Sequence, residues 1–376
     1  MPFRPSSAKT DVEDNLRYWV ALNHALAENL YARSKIIRHF TCIREAFESS
    51  VKALMACGLD EEGARVLTSG DIFDHADNEI EKLRRKKYTI LTLEDRRYPD
   101  YLKEIFDPPC VLYCAGKVEL LNEPAVSIVG ARKPTPYGRA VAERLSRDLA
   151  SRGLVVVSGM ARGIDSIAHW GALQRGKTVA VLGSGLDRIY PRENTKLFEK
   201  IMNNGTVISE YPLASPPLGY HFPLRNRIIS GLSLALVVVE AAAKSGSLIS
   251  ARLALEQNRD VMAVPGNLTS EMSRGTNGLI KGGAKLVERW EDVVEEFPSP
   301  LRERLLATKD ENAPRPEMSS QEKRIFASLQ VDSETHVDEL VEMTGLSVSE
   351  VLSLLLRMEL KGLVVQNSGK YFQRKL

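Results

Sequence analysis

The sequence predicts an α/β protein with a Rossmann-like, doubly wound parallel sheet, preceded by a helical domain and followed by a winged helix. Three observations carry this prediction. Short runs of β-branched residues recur between 125 and 264, and helical patterns separate nearly all of them. Apolar residues recur at helical spacing over residues 13–87. Residues 318–376 combine three helical patterns with two short strand-like runs.

The N-terminal segment, residues 1–87, is predicted to be a compact bundle of short helices after a polar start. Its first apolar stripe contains Leu16, Trp19 and Leu22, and five further helical patterns follow: Tyr31–His39, Thr41–Ser49, Val51–Cys57, Glu61–Ser69 and Ile72–Lys86. A helix-hairpin-helix module that holds DNA backbone needs a glycine in its hairpin, and Asn23–Leu30 contains none. The bundle is therefore predicted to serve docking or regulation rather than DNA binding.

Residues 88–297 are predicted to form the sheet domain. Tyr88–Leu93 is typical of an edge strand, and Val111–Ala115 follows a turn-rich connector. The predicted parallel strands are Val126–Val129, Val155–Val157, Thr178–Leu182, Thr206–Ser209, Leu234–Val239 and Val261–Val264. Right-handed crossovers through the intervening helices place helices on both faces of this sheet.

The C-terminal part is predicted to be a linker over 298–317 and a winged helix over 318–376. Four prolines and mixed charges mark the linker. The presumed recognition helix, Val348–Lys361, carries Arg357 and Lys361 against two glutamates. Such a balance is poor for phosphate contacts, so a protein-binding or regulatory module is at least as well supported as a DNA reader.

Composition is that of an ordinary soluble protein. Of the 376 residues, 43% are hydrophobic and 27% are charged, and the net charge of +2 neither favours nor excludes a nucleic-acid partner. No apolar run approaches the roughly 20 residues of a membrane span, and the N-terminus lacks the apolar region of a signal peptide. The four cysteines have no disulfide spacing. We expect a cytoplasmic protein without a membrane partner.

Phosphate-compatible loops follow successive predicted strands. They are Gly130–Lys133, Ser158–Gly163, Gly183–Asp187 and, after Glu240, Ser245–Leu248, with His221–Arg227 between the fourth and fifth parallel strands. In an open parallel sheet these loops meet at the carboxyl edge, where ligands bind. Glycine turns at helix starts offer N–H donors to phosphate, and cations next to an aromatic residue suit a stacked, phosphate-rich polymer.

Three further motifs are rejected. Gly171–Thr178 matches the Walker A pattern, but it closes a helix and enters a strand, which is the reverse of a P-loop. Gly183-Ser-Gly185 lacks the third glycine of the dinucleotide fingerprint. Asp165 and His169 share a helix face without a second ligand cluster, so helix capping and packing are the better interpretation. No metal, cofactor or catalytic residue is predicted.

The order of these motifs resembles the DNA-processing protein A family, known as DprA or Smf. The resemblance spans roughly residues 88–290 and rests on Tyr98–Leu102, Val129–Lys133 with Tyr137-Gly138, Ser158–Asp165 with Ala168-His169, Gly183–Asp187 with Tyr190-Pro191, Phe222–Ile229, Val239–Ala241, Ser245–Leu248 and Val264–Gly266. It implies a sterile-alpha-motif-like (SAM-like) N-terminal domain, an extended Rossmann core and a C-terminal winged helix. The glycine hairpin often present in the N-terminal domain is missing from residues 23–30.

The resemblance implies sequence-independent binding of single-stranded DNA, protection of incoming strands in natural transformation, RecA loading and dimerisation through the core. Arg225 and Arg227 would supply charge and Phe222 stacking. The implied DNA-binding residues are Gly130, Arg132, Ser158, Gly159, Arg162, Gly163, Gly183, Ser184, Gly185, Phe222, Arg225, Asn226, Arg227, Ser245, Gly246 and Ser247.

Two other classes compete with this interpretation. Nucleoside-monophosphate phosphoribohydrolases hold phosphate on a glycine-rich loop near a catalytic glutamate, and Glu240 occupies a comparable place. Their Pro-Gly-Gly-x-Gly-Thr run is absent, however. A winged-helix transcription regulator is disfavoured by the weakly basic recognition helix. The favoured interpretation is a non-enzymatic DNA-binding protein.

Overall fold

The computed structural model describes residues 10–27, 29–307, 318–330, 334–361 and 363–374. It consists of two compact units, residues 1–310 and 311–376. The start of the predicted polar N-terminus, before Thr10, and residues 308–317 of the predicted linker lie outside the described residues. Within the described ranges, no helix has the length and apolarity that crossing a membrane requires.

Six helices form the N-terminal part of the first unit. They are α1 (Thr10–Ala25), α2 (Leu30–His39), α3 (Ile43–Glu48), α4 (Val51–Ala56), α5 (Glu61–Thr68) and α6 (Asp71–Arg85). Their buried residues, such as Leu22, Ile36 and Leu67, belong to the same hydrophobic core as Tyr113 of the sheet. The helices therefore pack on the sheet domain and share its core.

A glycine hairpin does occur among these helices, further along the chain than Asn23–Leu30. Gly58, between α4 and α5, has a φ of +98°, a conformation that favours glycine. The following helix is capped by Asp60 and begins with Glu61 and Glu62. Three carboxylates at this helix start repel phosphate, so the hairpin lacks the charge of a DNA contact.

The sheet has nine strands in the order β1-β2-β6-β5-β4-β3-β7-β8-β9. The strands are β1 (Thr89–Thr92), β2 (Val111–Gly116), β3 (Ala125–Val129), β4 (Val155–Ser158), β5 (Thr178–Val181), β6 (Thr206–Ser209), β7 (Ala235–Val238), β8 (Asp260–Ala263) and β9 (Lys285–Leu286). The six predicted parallel strands, β3 to β8, pair in parallel, and β9 adds a further parallel strand beside β8. The additional strands β1 and β2 pair antiparallel at one edge.

Helices cover both faces of the sheet. They are α7 (Asp100–Lys103), α8 (Pro136–Ser151), α9 (Ile164–Arg175), α10 (Thr195–Asn204), α11 (His221–Gly231), α12 (Gly246–Glu256), α13 (Arg274–Lys281) and α14 (Trp290–Val294). Alternate residues of one strand enter different cores: Val155 and Val157 belong to the core that extends to the N-terminal helices, and Val156 belongs to the core on the other face. This double burial explains the uninterrupted valine run.

The strand order reverses at β3, which lies between β4 and β7. From β3 the chain continues through β4, β5 and β6 on one side, then through β7, β8 and β9 on the other. Loops leaving adjacent strands in opposite directions open a crevice at their carboxyl ends. The ligand-binding position of this sheet is therefore outside β3 and its neighbours.

The first part of the predicted linker is helical. Helix α15 (Ser299–Ala307) contains Leu305, which is buried in the same core as Val156. The prolines at 298 and 300 stand at the start of this helix, where proline is tolerated because the first N–H groups have no helical partner. The proline count alone therefore overestimates the length of the linker.

The second unit has its own core and a winged-helix arrangement. Its elements are α16 (Ser320–Ser328), β10 (Thr335–His336), α17 (Val337–Thr344), α18 (Val348–Leu360), β11 (Val364–Asn367) and β12 (Tyr371–Arg374). Gly345, with a φ of +67°, ends α17, and Gly369 turns between β11 and β12. Three helices and two strands confirm the sequence pattern, and β10 adds a short third strand beside β12.

Candidate nucleic-acid interface

A cleft of about 520 Å³ opens at the carboxyl edge of β3 and β7, where the strand order reverses. It brings together half of the predicted site residues, from the loop after β3, the start of α12 and the start of α11. These residues are Gly130, Arg132, Phe222, Arg225, Asn226, Ser245, Gly246 and Ser247. The other half does not line this cleft: Ser158, Gly159, Arg162, Gly163, Gly183, Ser184, Gly185 and Arg227.

Cations line the cleft on two loops. Arg132 and Lys133 follow β3, Lys244 precedes α12, and all three side chains are exposed. None of the three forms an ion pair among the described residues. Lys133 and Lys244 were missed as site residues, although each adjoins a predicted one. Next to Lys244, Ser245 caps α12 by accepting from the Ser247 N–H, and this positive helix end faces the same cleft.

Phe222 lies beside these cations. The Arg132 guanidinium carbon is 6.0 Å from the centroid of the Phe222 ring, at the outer limit of a cation–π contact. Gly183 lies against the other part of the ring, and a Cβ there would be 2.9 Å from Phe222 Cδ1. Gly183 thus acts by leaving room for the ring. Phe222 is half-buried, so part of the ring is available to a ligand.

Arg225 is buried rather than free for a phosphate. Its guanidinium donates to the carbonyl oxygens of Gly159, at 2.8 Å, and of Val181. Burial lowers the pKa of Arg225 to about 10, against the attraction of Asp165. The side chain therefore ties the ends of β4 and β5 to α11 at the floor of the cleft.

Arg227 is also engaged internally, away from the cleft. Its guanidinium binds the Glu210 carboxylate with two hydrogen bonds of 2.7 Å and donates to the Asp107 carbonyl at 2.9 Å. Glu210 in turn accepts from Arg33 of α2 at 2.9 Å, and Asn23 accepts from the same arginine at 2.6 Å. The predicted phosphate contact is thus contradicted: Arg227 neutralises a buried glutamate.

The glycine loops after β4 and β5 use most of their polar groups within the protein. The Gly159 N–H donates to Asp165 Oδ2 at 3.1 Å, and the Gly185 N–H to the Ser215 carbonyl at 3.0 Å. The buried hydroxyls of Ser158 and Ser184 each donate to a backbone carbonyl, at 2.7 and 2.8 Å respectively. These donor groups of the four residues are directed into the protein, where they hold the loops in shape, rather than toward a ligand as predicted.

Gly163 is required by a close backbone approach. Its φ is +80°, and a Cβ there would be 2.3 Å from the Ala131 carbonyl oxygen and 2.6 Å from that of Arg132. Gly130 similarly lets the β3 loop pass α9, because a Cβ would be 2.7 Å from Ile164. The two glycines fit the turns after β3 and β4 together and so position Arg132.

Arg162 is exposed but paired. Its guanidinium binds the Glu193 carboxylate at 2.9 and 3.1 Å, and both side chains are more than half exposed. An exposed pair of this kind contributes little to stability. The ion pair joins the turn after β4 to the loop that carries Tyr190.

The candidate enzymatic groups have structural partners. Glu240 is buried, and it accepts from the Thr135 N–H at 2.9 Å and the Thr135 hydroxyl at 2.5 Å at the start of α8. Its carboxylate occupies the anion position of that helix. His169 is fully buried, with Nδ1 2.7 Å from the Thr178 hydroxyl. Asp165 binds the Gly159 N–H instead of capping α9, whose N-cap is Gly163.

The Walker-like motif has the predicted context. The Walker-like string lies at the end of α9 and the start of β5, so its Lys177 is not in a phosphate-binding loop. Throughout the described ranges, no group of three or more His, Cys, Asp or Glu side chains is arranged to hold a metal ion. The described cysteines are unpaired, with Cys110 and Cys114 buried.

Comparison with known proteins identifies the family to which this arrangement corresponds. The family model described as DNA recombination-mediator protein A matches residues 89–298, more than half of the chain. The chain belongs to that family. A second model, described as the DprA winged helix domain, matches residues 309–370.

Relatives and solved structures agree with the family assignment. The DNA processing protein DprA of Bacillus subtilis is 42% identical over 217 residues, which cover 57% of this chain and 73% of that protein. The X-ray structure of DprA from Streptococcus pneumoniae matches with a TM-score of 0.66 and 36% identity, covering 74% of this chain and 96% of that one. A structure of Helicobacter pylori DprA, described by its single-stranded DNA binding mode, matches with a TM-score of 0.51 and 37% identity, covering 56% and 96%.

Proposed function

We propose that this DprA family member binds single-stranded DNA without sequence preference in the cleft at the carboxyl edge of β3 and β7. The observation that carries the proposal is the exposed Arg132 beside the accessible ring of Phe222, at the point where the strand order reverses. The H. pylori relative, which is 37% identical and is described as binding single-stranded DNA, supports the same ligand.

The two parts of the cleft would act on different parts of the strand. Arg132, Lys133 and Lys244 are exposed cations that phosphates can reach, and each phosphate neutralised releases counterions. Phe222 offers a face to a base, and stacking tolerates any sequence because every base has a π face. Arg225 and Arg227 contribute by holding α11 in place.

The biological role we propose follows from the family rather than from the cleft. It is protection of incoming single strands during natural transformation and loading of RecA onto them, in the cytoplasm, by a homodimer formed through the core. Light scattering with and without oligonucleotide tests the dimer. Strand exchange by RecA on DNA coated with a single-strand binding protein tests the loading.

We propose no catalytic role. The nucleoside-monophosphate hydrolase alternative requires a carboxylate facing the ligand, and the Glu240 carboxylate is instead buried against Thr135. Incubation with nucleoside monophosphates, followed by chromatography, is expected to release no free base. If the unaltered protein releases free base and Glu240→Gln does not, the hydrolase alternative is favoured.

Titration of fluorescent oligo-dT at several salt concentrations tests the DNA-binding proposal. Arg132→Ala should weaken binding and reduce the salt slope by about 0.7. Phe222→Ala should weaken binding by about 1–3 kcal/mol without changing the slope. Arg65→Ala is the matched control, because Arg65 is exposed on α5 and paired with Glu61, far along the chain from any cleft residue.

An unchanged melting temperature must accompany both cleft variants. If Arg132→Ala and Arg65→Ala have the same salt slope as the unaltered protein, the cleft is not the DNA site.

A further inference from the structure

Tyr190 extends the aromatic surface beyond the cleft. Its side chain is 46% exposed, and its ring centroid lies 5.6 Å from that of Phe222 with 43° between the ring planes. Its hydroxyl has no hydrogen-bond partner among the residues that the structure describes. A large exposed aromatic ring next to a ligand-accessible one is a typical stacking surface for nucleic acid.

The loop that carries Tyr190 is held firmly. The buried side-chain amide of Asn194 donates to the Met160 carbonyl and to the Ser166 hydroxyl, both at 2.8 Å. The ion pair between Glu193 and Arg162 adds a second link to the turn after β4. The backbone next to Tyr190 is therefore anchored before any ligand binds, which lowers the entropy lost on binding.

The distance and tilt between the rings decide how bases could be arranged. A base inserted between two parallel rings needs about 7 Å between them, twice the van der Waals separation of stacked carbon atoms. The observed 5.6 Å with a 43° tilt is too close for insertion. Two bases could instead stack on the outer faces of the two rings, one on each, with the strand turning between them.

We propose that Tyr190 is a second nucleobase-stacking subsite, which takes the base adjacent to the one on Phe222. This inference rests on the proposed binding of single-stranded DNA. The ligand class is a pair of consecutive unpaired nucleotides, because only unpaired bases can separate onto two tilted surfaces. The Arg132 guanidinium lies on the Phe222 side of this pair, so we assign the phosphate contact to that end.

The test compares Tyr190→Ala with Tyr190→Phe in the full chain. Two ligands of equal length are used, oligo-dT and an abasic deoxyribose-phosphate oligomer that has the same charges without bases. Loss of one stacked base should weaken oligo-dT binding of Tyr190→Ala about 5- to 150-fold. Binding of the abasic oligomer should not change, and Tyr190→Phe should bind both as the unaltered protein does.

Each other outcome is informative. Equal weakening on both oligomers, or a Tyr190→Ala affinity equal to that of the unaltered protein while Phe222→Ala weakens binding, overturns the Tyr190 subsite and leaves the proposed function standing. Failure of the unaltered protein to bind oligo-dT overturns the proposed function itself. Melting temperatures of both variants identify any loss that comes from unfolding.

Discussion

Glu210 and Arg227 form a bidentate ion pair in the interior, with both hydrogen bonds at 2.7 Å. Arg33 of α2 donates to the same carboxylate, so one glutamate joins the N-terminal helices, β6 and α11. Burial would raise the pKa of Glu210, but the two arginines outweigh burial and hold that pKa at about 2. The cluster places α11, which carries Phe222, relative to the sheet.

The first prediction concerns stability. Arg227→Ala leaves a buried carboxylate with one arginine and should lower the free energy of unfolding by about 3–5 kcal/mol. The salt slope of oligo-dT binding by the remaining folded protein should not change. Urea unfolding and salt-dependent titration measure the two quantities, and Arg132→Ala should show the opposite pattern. A stable Arg227→Ala variant with a reduced slope would restore Arg227 as a phosphate contact.

The second prediction is the acid response of Glu210. Its pKa is about 2 in the folded protein, whereas the ordinary pKa of a glutamate is 4.5. A carboxyl group with a depressed folded pKa stabilises fully above pH 4.5 and loses that contribution, about 3 kcal/mol, as the pH falls toward 2. Calorimetry between pH 5 and 2.5 should show this loss in the unaltered protein. The stability of Glu210→Gln should depend less on pH over that range, and an equal dependence would assign the loss to other carboxylates.

The third prediction concerns His169. Burial, followed by the nearby charge of Arg225, lowers the pKa of this imidazole from 6.5 to about 3. The unfolded chain therefore binds the proton first, and stability should fall as the pH drops from 6.5 toward 3. In His169→Gln, the free energies of unfolding at pH 7 and pH 5 should differ less than they do in the unaltered protein. Burial also lowers the pKa of His24, to about 4, so His24→Gln provides a comparison variant. A pH dependence in His169→Gln equal to that of the unaltered protein would assign the effect elsewhere.

The fourth prediction addresses Gly183. A Cβ at this position would be 2.9 Å from the Phe222 ring, and its φ lies outside the glycine-favouring range, so Gly183→Ala should displace the ring without straining the backbone. Oligo-dT binding should weaken by up to about 1–3 kcal/mol, the contribution of one stacked base. Melting temperature and abasic-oligomer affinity serve as controls. Unchanged oligo-dT affinity would mean that the ring position does not matter.

The fifth prediction separates the two units. The fragment 1–310 should bind oligo-dT as the full chain does, and the fragment 311–376 should not bind it. The second fragment has its own hydrophobic core, and the exposed face of its helix α18 presents Val348 and Leu356 rather than a row of cations. Electrophoretic mobility shifts at low salt test both fragments. Comparable binding by 311–376 would make the winged helix a DNA contact.

The design of the first fragment depends on the structure. A fragment that begins at residue 88 would remove Leu22, Ile36 and Leu67 from the core that they share with Tyr113. It would also expose Glu210 without Arg33. The N-terminal helices must therefore remain in the fragment.

Local pattern was enough for the fold class and most element positions. Valine runs buried on both faces predict parallel strands, and glycine turns at their ends predict a ligand-binding edge, because both signals arise from neighbouring residues. The same signals predicted the cleft loops that contain Gly130, Arg132 and Ser245. The pattern also predicted the edge strand β1 and its neighbour β2, but it did not specify that they pair antiparallel.

The roles of individual charges were decided only by tertiary structure. Arg132, Arg225 and Arg227 have the same chemistry in the sequence, yet one is exposed, one binds carbonyl oxygens and one pairs with Glu210. The distant partners of the two buried arginines lie 17 to 120 residues away along the chain. Spacing cannot report such pairings, because burial of a charge depends on which distant carboxylates and carbonyls the fold brings to it.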